Sequence, residues 1–173
     1  METLYFNNGG DKDKLLEIPN LGSMGWTRFD SAFEGCSNLT TVAGGDTSSV
    51  TAMEYMFAGT AAADPNTSSW NTSSVENMGR MFFNATAANP DTSGWDTSKV
   101  TTMAKMFNNA VSANPDTSTW NTSSVVQMQS MFEGASSANP EMSGWDFETV
   151  EYMTDMFTGI DIGVENYSNL LIQ

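Results

Sequence analysis

Apolar residues recur along this chain at a fixed spacing of 25 residues. Columns of valine, methionine, phenylalanine and tryptophan repeat without insertion between residues 46 and 158. Within one unit, Val75, Met78, Met81 and Phe82 follow an i, i+3, i+6, i+7 spacing, which is typical of one helical face. A helix of two to three turns is marginal alone. The pattern therefore predicts a short helix in each unit, whose apolar face is buried against neighbouring units.

The second half of each unit predicts a turn followed by a short strand. Asn89-Pro90 disfavours continuation of a helix. Thr92 and Trp95 are residue types that favour strands. Helix, turn and strand repeating at a fixed period are typical of a solenoid. The predicted fold class is therefore an α/β repeat, a leucine-rich-repeat-like solenoid of 25-residue coils, each with one short helix and one short strand, capped at both ends.

The repeat array indicates a single domain with four segments, because a solenoid needs atypical units at its ends. These are an N-terminal lead-in (1–14), an irregular first coil that caps the array (15–45), the 25-residue repeats (46–158) and a C-terminal cap (159–173). Tyr167, Leu170 and Leu171 predict a short amphipathic helix that closes the open end of the core.

Composition excludes several classes of function. The 173 residues include 21 acidic and 6 basic side chains, one cysteine and no histidine, for a net charge of -15. A histidine-based nucleophile, a zinc site and an intrachain disulfide are therefore ruled out. The charge has the wrong sign for nucleic acid, and no apolar run is long enough for direct membrane insertion. Acidic residues recur in rows without a single non-repeating cluster, so we predict no catalytic residues and no enzyme activity.

The candidate ligand-binding residues are polar and follow the proline or lie in the predicted strand of each unit. Repeats present such positions as a broad surface across several coils. The candidates are Asn66, Ser68, Asp91, Ser93, Asp116, Ser118, Glu141 and Ser143.

Three kinds of repeated column, those of Asp and Asn, of tryptophan and of threonine, have both a functional and a structural interpretation. Rows of Asp and Asn supply oxygens suited to calcium, although turns and caps also use these residues; we predict no dedicated metal site, with calcium as an alternative. The tryptophan column suits either sugar stacking or the core. Regular threonine rows, Thr67, Thr92 and Thr117 among them, suit either helix capping or an ice-binding array.

Several stretches resemble a known family. Asp-Thr-Ser-Lys-Val-Thr-Thr-Met-Ala-Lys-Met-Phe (96–107) is similar to the repeats of BspA-type leucine-rich-repeat bacterial surface proteins, which include the DUF285 and surface protein 26-residue repeat sets. Ala32–Val42 resembles the related unit with Ala-Phe, Gly-Cys and Leu, and Asn166–Ile172 resembles the segment that ends such arrays. The resemblance implies a leucine-rich-repeat-like fold, display outside a bacterial cell, and adhesion or protein binding.

We therefore expect an extracellular recognition or adhesion module of a bacterial surface protein. Its expected partner is a protein, peptide or glycan of a host or neighbouring cell, bound across the repeat face, together with other domains of a larger surface protein. We expect no nucleic-acid partner and no cofactor apart from the calcium alternative. The alternative functions are a non-binding structural spacer and an ice-binding solenoid.

Overall fold

The computed structural model describes residues 2–3, 6–164, 166 and 168. Its elements are β1 (Glu2–Thr3), a 3-10 helix (Lys12–Lys14), β2 (Glu17–Ile18), β3 (Trp26–Arg28) and β4 (Thr41–Val42). β1 pairs with β3 and β2 pairs with β4, in parallel, to give two sheets of two strands each. Residues 163, 164, 166 and 168 are helical.

The predicted α/β leucine-rich-repeat-like solenoid, with a helix and a strand in each coil, is wrong. Between residues 46 and 158 the backbone forms turns and isolated bridges and contains neither a helix nor an extended strand. In place of the predicted helix are successive tight turns, in which the Ala85 N–H donates to the Phe82 carbonyl at 3.0 Å. In place of the predicted strand is a further turn, closed at 3.0 Å by the Trp95 N–H and the Thr92 carbonyl.

Two left-handed backbone positions in each unit explain why no helix forms. Arg80 has φ 56° and Asn84 has φ 57°, and the equivalent residues of the other units share this conformation. A right-handed helix cannot continue through a left-handed residue. The second position is occupied only by residues that tolerate this conformation well: Gly35, Gly59, Asn84, Asn109, Gly134 and Gly159.

The units stack in parallel, so that residues one repeat apart are neighbours. Isolated parallel bridges connect one residue of each unit to the next: Arg28, Ala52, Asn77, Thr102, Gln127 and Tyr152. Beside each bridge, four N–H groups donate to the following unit. Those of Met78, Arg80, Phe82 and Asn84 donate to the carbonyls of Thr102, Ala104, Met106 and Asn108 at 2.8 to 3.1 Å. These bonds recur from unit to unit and form columns of one polarity.

The core consists of the predicted apolar columns, but their side chains point into it from turns and not from helices. The rings of Phe82 and Phe107 stack with centroids 5.4 Å apart and planes 5° apart, and similar pairs continue through Phe57 and Phe132. The four tryptophans of the repeat column, Trp70, Trp95, Trp120 and Trp145, are 2 to 3% exposed. They therefore pack in the core and offer no platform for sugars.

The threonine rows are also buried. Thr67, Thr92 and Thr117 are at most 1% exposed, as are Thr72, Thr97 and Thr122. Their hydroxyl groups donate to backbone carbonyls one unit further along, for example from Thr92 to Asp116 at 2.7 Å. The rows are neither helix caps nor an exposed array, so the ice-binding alternative loses the surface on which it was based.

The ends of the stack differ from its middle. At the N-terminal end, the N–H groups of Phe6, Asn7 and Asn8 donate to carbonyls of the first unit. At the C-terminal end, Met153 is 42% exposed, whereas the equivalent methionines are buried. The predicted helix with Tyr167, Leu170 and Leu171 falls on residues outside those described. The proposed segment limits remain a prediction.

Candidate ligand-binding surface

The eight candidate residues from the sequence are all exposed and lie in one row along the stack. The structure thus brings Asn66, Ser68, Asp91, Ser93, Asp116, Ser118, Glu141 and Ser143 to a common surface, which we call the uniform row. This row does not coincide with the line of parallel bridges, which lies in the other half of each unit. The strand in which some of the candidates were predicted to lie is absent.

Side chains of the uniform row are engaged in local turns. Asp91 Oδ1 accepts hydrogen bonds from the Ser93 N–H at 3.1 Å and from its hydroxyl at 2.7 Å. Asp116 accepts the same pair from Ser118. The serine hydroxyl bonds, followed by those from the backbone, lower the pKa of both aspartates. These Asx-turns give the row a structural role and leave the carboxylates ionised on the surface.

The geometry of the uniform row does not support the calcium alternative. Within the described ranges, no three side chains of histidine, cysteine, aspartate or glutamate come together in a metal-binding group. The negative charge of Asp116 raises the pKa of Asp91, against the larger effect of the serine bonds. Neighbouring carboxylates therefore repel across the units, and each binds its own serine.

A second surface follows the line of bridges and differs from unit to unit. Each unit contributes four positions here, and the side chains at each position change along the stack. We call this surface the variable face: Thr51, Ala52, Glu54, Tyr55; Glu76, Asn77, Gly79, Arg80; Thr101, Thr102, Ala104, Lys105; Val126, Gln127, Gln129, Ser130; Glu151, Tyr152, Thr154, Asp155.

The chemistry of the variable face contrasts with the repeated core columns of each unit. Valine, methionine and phenylalanine columns are constant because they pack the same core in every unit. On the variable face the larger side chains are partly or fully exposed, and the small residues Ala52, Gly79, Ala104 and Ser130 are buried. No prediction from the sequence included this face, although four of the positions that fail to repeat lie on it.

One cluster on the variable face is held by contacts between two units. Glu54 carboxylate oxygens lie 3.5 Å from the Arg80 guanidinium and accept a hydrogen bond from the Asn77 amide at 3.1 Å. The Arg80 guanidinium also lies 5.1 Å from the centroid of the Tyr55 ring, a cation–π contact. Both members of the ion pair are about one-third exposed. The cluster is thus ordered and accessible.

A shallow groove adjoins this cluster. Its volume is about 400 Å³, and Tyr55 and Phe83 contribute aromatic surface while Glu34, Lys12 and Asn84 contribute polar groups. The Lys12 ammonium donates to the Gly35 carbonyl at 2.9 Å, so its position is fixed by the first unit. The groove extends the variable face towards the N-terminal end and provides space for a side chain of a ligand.

The single cysteine lies away from these surfaces. Cys36 is buried in the core, and burial raises the pKa of its thiol to about 11. The thiol is therefore protonated near neutral pH and is a packing residue.

Comparison with family models shows where the chain belongs. The model described as Mycoplasma protein of unknown function, DUF285, matches residues 27–145 and again residues 85–169. The chain belongs to the DUF285 family. Comparisons of this DUF285 chain with curated proteins and with solved structures gave no match. The predicted membership in DUF285 is confirmed, and the match does not extend to the BspA-type leucine-rich repeats.

In the part of the DUF285 chain that the structure describes, no helix has the length and apolar character needed to cross a bilayer.

Proposed function

We propose that this DUF285 chain is an extracellular recognition module of a bacterial surface protein that binds a protein ligand across its variable face. One observation carries the proposal: four neighbouring positions along the line of bridges differ from unit to unit, while the core columns stay constant. A scaffold needs only the constant positions, whereas recognition needs a specific arrangement of different groups.

The composition of the face favours a protein over other ligands. It includes both charges, the exposed Tyr152 and the half-buried Tyr55 beside Arg80. Tyrosine and arginine are enriched among residues that dominate binding energy in protein interfaces. The resemblance to BspA-type surface proteins supports the same function, as well as display outside a bacterial cell and attachment to other domains.

The uniform row is the alternative binding surface of the same module. Its exposed acidic and serine side chains suit a glycan or a cationic peptide, but they are nearly identical in every unit. A spacer is the alternative function, and the constant stack would serve it equally well.

Binding assays with matched variants distinguish these proposals. The protein is screened against arrays of glycans and of surface-protein peptides, and each confirmed ligand is titrated against two double variants. Tyr55→Asn with Arg80→Asn changes the variable face while retaining residues that tolerate the left-handed conformation at both positions. Asp91→Asn with Asp116→Asn changes the uniform row and retains its turns.

We expect the confirmed ligand to be a protein or peptide. Its affinity should fall about tenfold or more in the first variant, because interface contacts are lost, and should change less than about twofold in the second. The opposite ranking would assign binding to the uniform row. The absence of any ligand on the arrays would favour the spacer.

A further inference from the structure

The C-terminal end of the stack presents a row of backbone donors. In the preceding units, the equivalent N–H groups donate to carbonyls of the next unit, as Met128 does to Tyr152 at 2.7 Å and Phe132 to Met156 at 2.9 Å. The N–H groups of Met153, Asp155 and Phe157 occupy these positions in the last unit. They have no acceptor among the described residues, and the same holds for Gly159.

Large apolar side chains of the last unit are also exposed at this end. Met153 is 42% exposed and Tyr152 is 52% exposed, whereas Met128 is fully buried by the unit that follows it. The described helical residues, 163, 164, 166 and 168, accept no hydrogen bond from these N–H groups. Asn166 lies beside Asn139, with 3.4 Å between the amide nitrogen and the amide oxygen, on the side of the uniform row.

We propose that this end is a docking edge for a basic polypeptide segment that continues the stack. The interface between units inside the chain shows which groups such a segment needs. It needs carbonyl groups that accept hydrogen bonds from the four N–H donors, and apolar side chains that cover Met153 and Phe157. Charge specifies the segment further. Residues 146–164 contain five acidic side chains and neither lysine nor arginine. A basic segment is attracted to this end, whereas a second copy of the chain carries the same net charge of -15 and is repelled.

A segment of another polypeptide commonly pairs with unpaired backbone groups at an edge. Hydrogen bonds to the row of N–H donors supply affinity, and contacts with the exposed apolar side chains supply specificity. The four donor columns have one polarity through the stack, so the N–H groups that have no following unit all lie at this end. Carbonyl oxygens of the segment accept from them, while lysine side chains reach the surrounding carboxylates.

The probe is a synthetic ten-residue peptide with the sequence of residues 126–135, a segment that already adopts the required turns in the chain. The peptide carries the substitutions Gln127→Lys, Gln129→Lys and Glu133→Lys, which make it basic. A scrambled peptide of the same composition is its control. Binding to the full chain is measured by calorimetry, and amide hydrogen exchange is followed by NMR.

We expect the amides of Met153, Asp155, Phe157 and Gly159 to become protected when the peptide binds, and the scrambled peptide to bind more weakly. Met153→Gln should weaken binding about fivefold, because burial of a partly exposed methionine contributes on the order of 1 kcal/mol. The matched variant Met24→Gln, at a methionine that is 62% exposed near the other end, should bind normally.

Equal binding of both peptides, or protection confined to other residues, would overturn the proposal, since attraction would then depend on charge alone. Sedimentation that shows a self-associated chain with these four amides protected would also overturn it, because a second copy would occupy the edge. Loss of ligand binding in the variant with Tyr55→Asn and Arg80→Asn leaves this test unaffected, because both residues lie outside the last unit.

Discussion

The hydroxyl group of Thr72 satisfies both backbone groups of Asp96 in the next unit. It donates to the Asp96 carbonyl at 3.0 Å and accepts from the Asp96 N–H at 2.9 Å. The same pair of hydrogen bonds joins Thr97 to Asn121 and Thr122 to Asp146. A column of buried threonines thus connects the units where the chain has no strand.

Replacement of this hydroxyl should destabilise the stack. Thr72→Val retains the shape of the side chain but leaves the Asp96 N–H and carbonyl without their partner. Unsatisfied backbone groups cost about 1–3 kcal/mol each, so we expect a loss of about 2–4 kcal/mol in the free energy of unfolding, measured by urea denaturation. The control Thr154→Val, at an exposed threonine, should change it by less than about 0.5 kcal/mol. Equal stability of both variants would contradict this role.

The left-handed positions give a second prediction. Gly59 has φ +71° and its added Cβ would meet no atom closer than 3.8 Å, so Gly59→Ala tests backbone conformation without a clash. We expect a loss of about 1–2 kcal/mol, the cost of a left-handed alanine. Gly94→Ala is the control, because nothing lies within 4 Å of its Cβ and its φ is not positive. If the segment that contains Gly59 were helical, Gly59→Ala would instead increase the melting temperature.

Acidification should weaken the turns of the aspartate columns. Serine hydroxyl bonds hold the pKa of Asp46, Asp91, Asp96 and Asp116 below the usual value of 3.8. A lowered folded-state pKa stabilises the protein above the unfolded value, and this contribution is lost as the pH falls through 3.8 towards the folded pKa.

The melting temperature should therefore fall between about pH 5 and pH 2, where these carboxylates become protonated. The quadruple Asp→Asn variant at these positions retains the turns without titrating, so its melting temperature should fall less over the same range. A steeper fall in the variant would show that the serine bonds do not stabilise the ionised form.

Calcium should have no specific effect on stability. Each carboxylate of the uniform row bonds to its own serine, and the described residues offer no group of three metal-binding side chains. We expect calcium and magnesium to raise the melting temperature equally and without saturation, through screening of the net charge. Saturable stabilisation by calcium alone would reveal a site formed by amide and backbone oxygens.

The core could be predicted from the sequence more fully than the backbone. Val75 and Met78 are buried as their spacing indicated, because a core position is defined by what repeats. The same spacing predicted a helix wrongly, since Arg80 and Asn84 are left-handed and direct the side chains inward from turns. Arg80 gives no local sign of this conformation, whereas the Gly/Asn column at Asn84 does.

Prediction of the site was limited in a different way. Asp91 and Ser93 were recognised because they repeat, and the structure explains the repetition by a turn. Tyr55 and Arg80 were missed because each occurs once in its column. In a stack of near-identical units, constancy indicates scaffolding, and positions that vary are the better candidates for recognition.

The most direct test of the variable face is an NMR titration of the labelled protein with its confirmed protein ligand. The account predicts that chemical-shift changes concentrate at Tyr55, Asn77, Arg80, Thr102 and Gln127, along the line of bridges. Changes concentrated at Asp91, Asp116 and Glu141, with the variable face unaffected, would contradict it.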